Sequence, residues 1–336
     1  MKKILVLAIS YLLLTGFMSC GKNKRFEVDT DSEKVEFKIN RFDQDLIKLD
    51  TVNLNQGIKD LYNKYPEFMD VYVSEILGQN PADTVAIAKM LRGFLSDTVF
   101  QSVNNKAFET FKDVAVVEQD IKDAYAYIHH YFPEIKLPQL YFFVSGFNRP
   151  IMLTDKFIGV GVDLYLGSDY PRYPDFTYKY LTYTMRPEGI APDVVSALLF
   201  KSFPYNSKEE RLLDNMIYRG KVMYLLSVVM PDQMPHDLMG YTNNQWEWSR
   251  KYEKDIWNAI LDQNDLFSTD VAKIRKYLND APFTTPISQD SPGRLGTWVG
   301  WQIVQSYMDN NKNVNLQDLM KENNYQKILD SSAYKP

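Results

Sequence analysis

One cysteine limits this chain more than any other feature. Cys20 is the only cysteine in 336 residues, so no disulfide can form within the chain and packing alone must hold the fold. Its position says more. It comes after the basic start Met1-Lys2-Lys3, the apolar run from Ile4 to Leu14 and the small residue Ser19. A basic start, a short apolar core and a small residue before the cut are the parts of a secretory signal. The apolar run is too short to cross a bilayer, which takes about 20 helical residues. It therefore reads as a signal and not as an anchor. A cysteine directly after the cut is where a lipoprotein signal peptidase needs a thiol to acylate, although Phe17 and Met18 replace the smaller aliphatic residues usual there. The expectation is that residues 1–19 are removed and that a lipid on Cys20 ties the chain to a membrane.

The stretch after Cys20 is polar, and residues 20–33 read as a tether between lipid and body. Lys22, Lys24 and Arg25 just after the cysteine favour a periplasm-facing anchor. About 300 residues remain, near the upper limit of roughly 250–300 for one core. The formal net charge of −5, more negative still once Lys2 and Lys3 are lost, argues against a nucleic-acid partner.

Periodicity divides the body in two. Residues 34–112 read as a mostly helical region: VEFKINRFDQDL alternates like a strand and passes into a short helix, and further helices are punctuated by Pro66, Gly78 to Pro81 and Ser96-Asp97. Residues 113–336 read as an α+β domain. A helix over 113–132 precedes three short β-rich runs, LYFFVSG, IMLTD and FIGVGVDLYLG, expected to form a small antiparallel sheet. Later helices are expected over 193–203, 208–230, 245–262, 268–279 and 292–309. The fold class is α+β, mainly helical, with helices around that sheet.

Residues that carry chemistry are sparse. His129 and His130 are adjacent and point about 100° apart on a helix, so they do not share a metal as an i, i+4 pair could. They suit a helix C-terminus. His236 comes after Pro235 in a turn with no second histidine nearby. There is no G-x-S-x-G elbow, and Gly159-Val160-Gly161 lies within a strand, not ahead of a helix as a dinucleotide fingerprint would. No catalytic residue, cofactor or metal site is expected.

Two segments look specialised. In KFIGVGVDLYLGSDYPRYP, Gly159 and Gly161 thin a strand, which marks a bulge or a close backbone approach, and an aromatic loop with Tyr170 comes next. In SPGRLGTWVGWQIVQSYM, Pro292 is expected to open a helix with Ser291 as its N-cap. Gly293, Gly296 and Gly300 would then make one smooth face, with Trp298 and Trp301 projecting elsewhere and Arg294 at the entrance beside Asp290. Close packing is the plainer explanation of that face. The alternative is a surface for a partner or ligand, with Gly159, Gly161, Tyr170, Arg294, Gly296, Trp298 and Trp301 as candidate residues.

The signal with Cys20, RFDQDL, the GVGVDLYLG run with its YP pair, MIYRGKVMYLL and SPGRLGTWVGWQIV together resemble the gliding motility lipoprotein GldB family, across essentially the whole mature chain. That resemblance implies an envelope lipoprotein of the gliding and associated secretion apparatus, partnered by the membrane and by other envelope proteins. The family in turn resembles zinc-dependent peptidases, in which an edge strand precedes a His-Glu-x-x-His helix and a later helix supplies an acidic ligand. FIGVGVDLYLG would be that edge strand and DVVSALLFKSF the metal helix, yet the latter has neither histidine nor glutamate. Arg219 stands where an acidic residue would precede glycine. The resemblance thus implies a zincin-like scaffold without its metal site and a non-catalytic role. The competing readings are an envelope hydrolase with an unrecognised site and a ligand-binding lipoprotein.

Overall fold

The computed structural model describes residues 24–336, so the signal segment and Cys20 lie outside the described residues. Helices dominate. The first half holds α1 (Phe42–Ile47), α2 (Leu54–Lys64), α3 (Pro66–Val71), a π-helical turn (Tyr72–Ile76), α4 (Thr84–Ser96), α5 (Thr98–Thr110) and α6 (Ala115–Tyr131). Their boundaries obey local chemistry. Asp83 and Asp97 cap α4 and α5 by accepting from the backbone N–H of Ala86 and Phe100, as short acidic side chains do. His129 and His130 end α6, where His130 Nδ1 lies 2.9 Å from Glu33.

Four short strands form the sheet: β1 (Ile39–Asn40), β2 (Gln139–Phe143), β3 (Ile151–Leu153) and β4 (Phe157–Gly161), in the order β1-β2-β4-β3. The expected antiparallel sheet is in fact mixed. β1 runs parallel to β2 and β2 parallel to β4, with Leu140 opposite Ile158, and only β3 is antiparallel, with Met152 opposite Gly159. The cause is a crossover: after β2 the chain goes to the far edge for β3 and returns through the middle as β4. β4 is therefore a central strand and β3 the edge, which corrects the assignment of FIGVGVDLYLG to the edge. The strand is also shorter than expected, since Val162–Leu164 is a 3-10 turn.

The two faces of the sheet meet two cores, and the alternation of side chains decides which. Leu140, Phe142, Val144, Ile158 and Val160 enter the larger core with α5, α6 and the helices after the sheet. Phe143, Met152 and Phe157 enter a smaller one with α1 to α4. Phe68 anchors the latter, stacked on Tyr141 with ring centres 4.6 Å apart and touching Phe42 and Phe157. Residues 34–112 thus contribute β1 to the shared sheet, α5 to the large core and α1 to α4 to the small one.

The second half comprises α7 (Ile190–Ser202), α8 (Leu212–Val229), α9 (Pro235–Met239), α10 (Asn243–Lys251), α11 (Glu253–Asp262), α12 (Val271–Leu278), α13 (Leu295–Asn310), α14 (Leu316–Lys321) and α15 (Tyr325–Ser332). The helix expected over 245–262 breaks in two at Tyr252. α8 and α13 are the central pair, and they cross with their backbones in contact. A Cβ on Gly220 would sit 2.2 Å from the Gly300 carbonyl, and one on Gly300 would sit 1.8 Å from that of Met216. Two helical glycines, Gly296 and Gly300, cost α13 about 2 kcal/mol against alanine. The close crossing buries Trp298, Val299, Ile303 and Val304 completely, which offsets that cost.

In the segment read as a tether, Arg25 and Phe26 pack on the body. The Arg25 guanidinium donates to the carbonyls of Met308, Asn311, Lys312 and Val314 at the end of α13. Phe26 is buried beside Tyr131.

Candidate functional site

Four elements meet where charged side chains enter the large core: the start of α7, the middle of α8, the turn after α9 and the entrance to α13. Asp193, in the first turn of α7, keeps some solvent contact but is closely walled in. Its Oδ2 accepts a hydrogen bond from the Tyr165 hydroxyl at 2.7 Å. Burial raises the Asp193 carboxyl to about 6, against the opposing pull of the Tyr165 hydrogen bond and the Arg294 charge. An acid at this end of a helix is favoured by the dipole, and here that position also turns it inward.

Arg294 forms the opposite wall. Its backbone is left-handed, with φ 57°, a conformation uncommon outside glycine and asparagine. The bend aims the guanidinium across the crevice, where Nη2 donates to the Met239 carbonyl and Nε lies 3.1 Å from Asp280. The expected cap is corrected accordingly. Ser291 does not cap α13, because three residues separate it from Leu295, the first of the helix. Thr284 does so from a distant loop: its buried hydroxyl accepts from Leu295 N–H at 3.2 Å and donates to the Pro292 carbonyl at 2.8 Å. Arg219 approaches from α8 and donates to the Leu278 carbonyl at 3.1 Å. Burial, and then the positive charge of Arg294, lower its affinity for its proton.

This is a crevice closed by internal partners. Tyr165 satisfies the Asp193 carboxyl, backbone carbonyls take up both guanidiniums, and the exposed Asp280 carboxylate meets Arg294 from the solvent side, so the charges drawn into the core are hydrogen-bonded, as buried charge requires. Among the described residues, no three histidine, cysteine, aspartate or glutamate side chains converge as a metal site requires.

Of the seven candidate surface residues, only Arg294 belongs to this crevice. The other six are buried in the body, with only Trp301 and Tyr170 keeping an edge at the wall of a surface pocket. Gly159 makes room for neighbouring side chains, since a Cβ there would meet Phe143 and Met152 at 3.0 and 3.1 Å, and Gly161 for the Arg149 carbonyl at 2.2 Å. Gly296 lies against Tyr277 and Leu278 of α12. Trp298 and Trp301 pack around Trp246, and Tyr170 leans on Tyr173. Each glycine on the supposed smooth face meets a different element, so close packing explains them.

Sequence reasoning does not single out Asp193, Tyr165 or Asp280. A lone aspartate at the start of an apolar helix has the form of an ordinary helix-start acid. Its signal is only that the helix behind it is buried on nearly all sides.

No helix among the described residues is long and apolar enough to cross a membrane. Neither a curated protein nor a solved structure matches the chain. A family model, that of the gliding motility protein GldB, matches residues 23–336, and the chain belongs to that family.

Proposed function

We propose that this gliding motility lipoprotein is a non-catalytic component of the gliding and associated secretion apparatus, held at a membrane by lipid on Cys20 and acting through protein contacts in the envelope. The observation that carries the reading is the filling of the crevice between α7 and α8. On the peptidase-like reading of the scaffold, α7 is the helix that would bear the metal-binding histidines and α8 the one that would bear the acidic ligand. α7 instead turns Asp193 onto Tyr165, and α8 places Arg219 beside the Arg294 and Asp280 pair. Three convergent ligands and an open coordination position are what hydrolytic metal chemistry needs. Guanidiniums at that place repel a cation.

The relation to zinc peptidases belongs to the same proposal. It is supported by an antiparallel strand at the sheet edge, β3, with a helix later in the chain packed against that sheet. Scaffold and chemistry separate readily in evolution, and a filled crevice is one way for them to do so.

Incubating residues 20–336 with an unfolded protein, with and without a chelator, tests the reading. The expected result is no cleavage in either condition. Cleavage that the chelator abolishes would replace this account with a hydrolase.

A further inference from the structure

The sheet has two edges, and they differ. At β1 the Ile39 N–H donates to the Glu118 carboxylate of α6 at 2.8 Å, which closes that side. At β3 the ladder fixes which groups face out, because neighbouring residues of an antiparallel strand turn their N–H and C=O to opposite sides. Met152 faces Gly159 across the ladder. The Pro150 carbonyl accepts from Gly161 N–H at 2.8 Å, and Thr154 N–H donates to the Phe157 carbonyl at 3.0 Å. Residues 150, 152 and 154 are therefore engaged with β4, while Ile151 and Leu153 turn two N–H and two C=O groups away from the sheet. Among the described residues nothing hydrogen-bonds to those four groups. Proline blunts many sheet edges, but Pro150 does not blunt this one, because its missing N–H lies on the β4 side. Leu153 keeps 39% of its surface exposed beside them.

The register of the edge narrows what can cover it. Two copies of β3 running antiparallel about a two-fold axis at Met152 would set Ile151 of each opposite Leu153 of the other. That one register satisfies all four groups, with four hydrogen bonds. It also matches the flanking side chains. Arg149 falls opposite Asp155 of the second copy, on the same face as the Ile151 and Leu153 pair, and Pro150 falls opposite Thr154. Asp155 is almost fully exposed and Arg149 half-exposed. Each has a partner within its own chain, Lys201 and Glu75 respectively, but those are surface pairs and a carboxylate accepts from two cations at once. A symmetric pairing brings like charges together unless the pattern is self-complementary, and here none meet between residues 149 and 155.

We propose that a second copy of this chain docks on the open edge of β3, joining the two sheets antiparallel across a two-fold axis at Met152. The seam is short, so the dimer forms with rising concentration and is not obligate. The inference is independent of the non-catalytic role and of its chelator test. Sedimentation of residues 20–336 over a range of concentrations tests it, with Cys20→Ala to exclude disulfide cross-linking. The expected result is a reversible monomer–dimer equilibrium. Leu153→Pro takes away an outward N–H without touching the β4 ladder, so it should leave the denaturation midpoint nearly unchanged and weaken dimerisation by about tenfold or more. Arg149→Asp alone sets like charges opposite each other and should weaken it by about threefold or more. Arg149→Asp with Asp155→Arg should restore it. A single monomeric mass at every concentration would overturn the proposal and leave the edge to a strand of another protein. So would a dimer that Leu153→Pro leaves intact, or a charge exchange that restores nothing.

Discussion

Asp193 sits in the first turn of a helix that is otherwise apolar, and its carboxyl is held near 6 chiefly by burial. A carboxyl whose affinity for its proton rises on folding adds stability that is complete below its unfolded value, near 4, and is lost as the pH rises through 6. Asp193→Asn keeps an oxygen to accept from Tyr165 and removes the charge. The variant should therefore gain on the parent as the pH rises from 4 to 7, by up to about 3 kcal/mol, and the two should converge near pH 4. Parallel denaturation curves at pH 4.5 and 7 check this; a variant less stable at pH 7 than at 4.5, relative to the parent, would contradict it. Little at this scale is legible in the sequence. Helix caps are, because Asp83 and Asp97 act within their own turns. Arg294 and Thr284 are not, because the left-handed bend of one and the capping bond of the other depend on a loop ten residues away meeting the helix.

The elements are more legible than their arrangement. Most helices lie within a few residues of where periodicity puts them, since an apolar stripe is a local pattern. The direction of the strands is not local. β2 and β4 are parallel only because the chain crosses to the sheet edge between them, and nothing in either run states that. The glycines are legible as demanding room, but not as to what fills it. Gly300 faces the backbone of Met216, and Gly296 faces α12. Gly300→Ala would force α8 and α13 apart, so it should cost about 3 kcal/mol or more. The check is its denaturation midpoint beside that of Gly93→Ala, whose added methyl meets nothing within 4 Å. Equal stability in the two variants would mean that the crossing tolerates separation.

At the scale of the whole molecule, a sheet between two cores replaces the disulfides that the chain lacks, with 34–112 and the later helices sharing one set of strands. Charged groups drawn in between α7, α8 and α13 are met by the protein's own hydroxyl, carboxylate and backbone carbonyls. On its outer surface a cleft of about 970 Å³ is lined in part by residues 25–28. On the proposed function, membrane anchoring and recognition would act together, since lipid on Cys20 would fix where the body meets a partner. The most direct test exports the same body through a signal cleaved without lipidation, with Cys20→Ala, in cells lacking the native protein. Gliding is then measured after confirming that the soluble form is present and folded. The account predicts a normal amount of folded protein and lost gliding; full motility from the soluble form would contradict it.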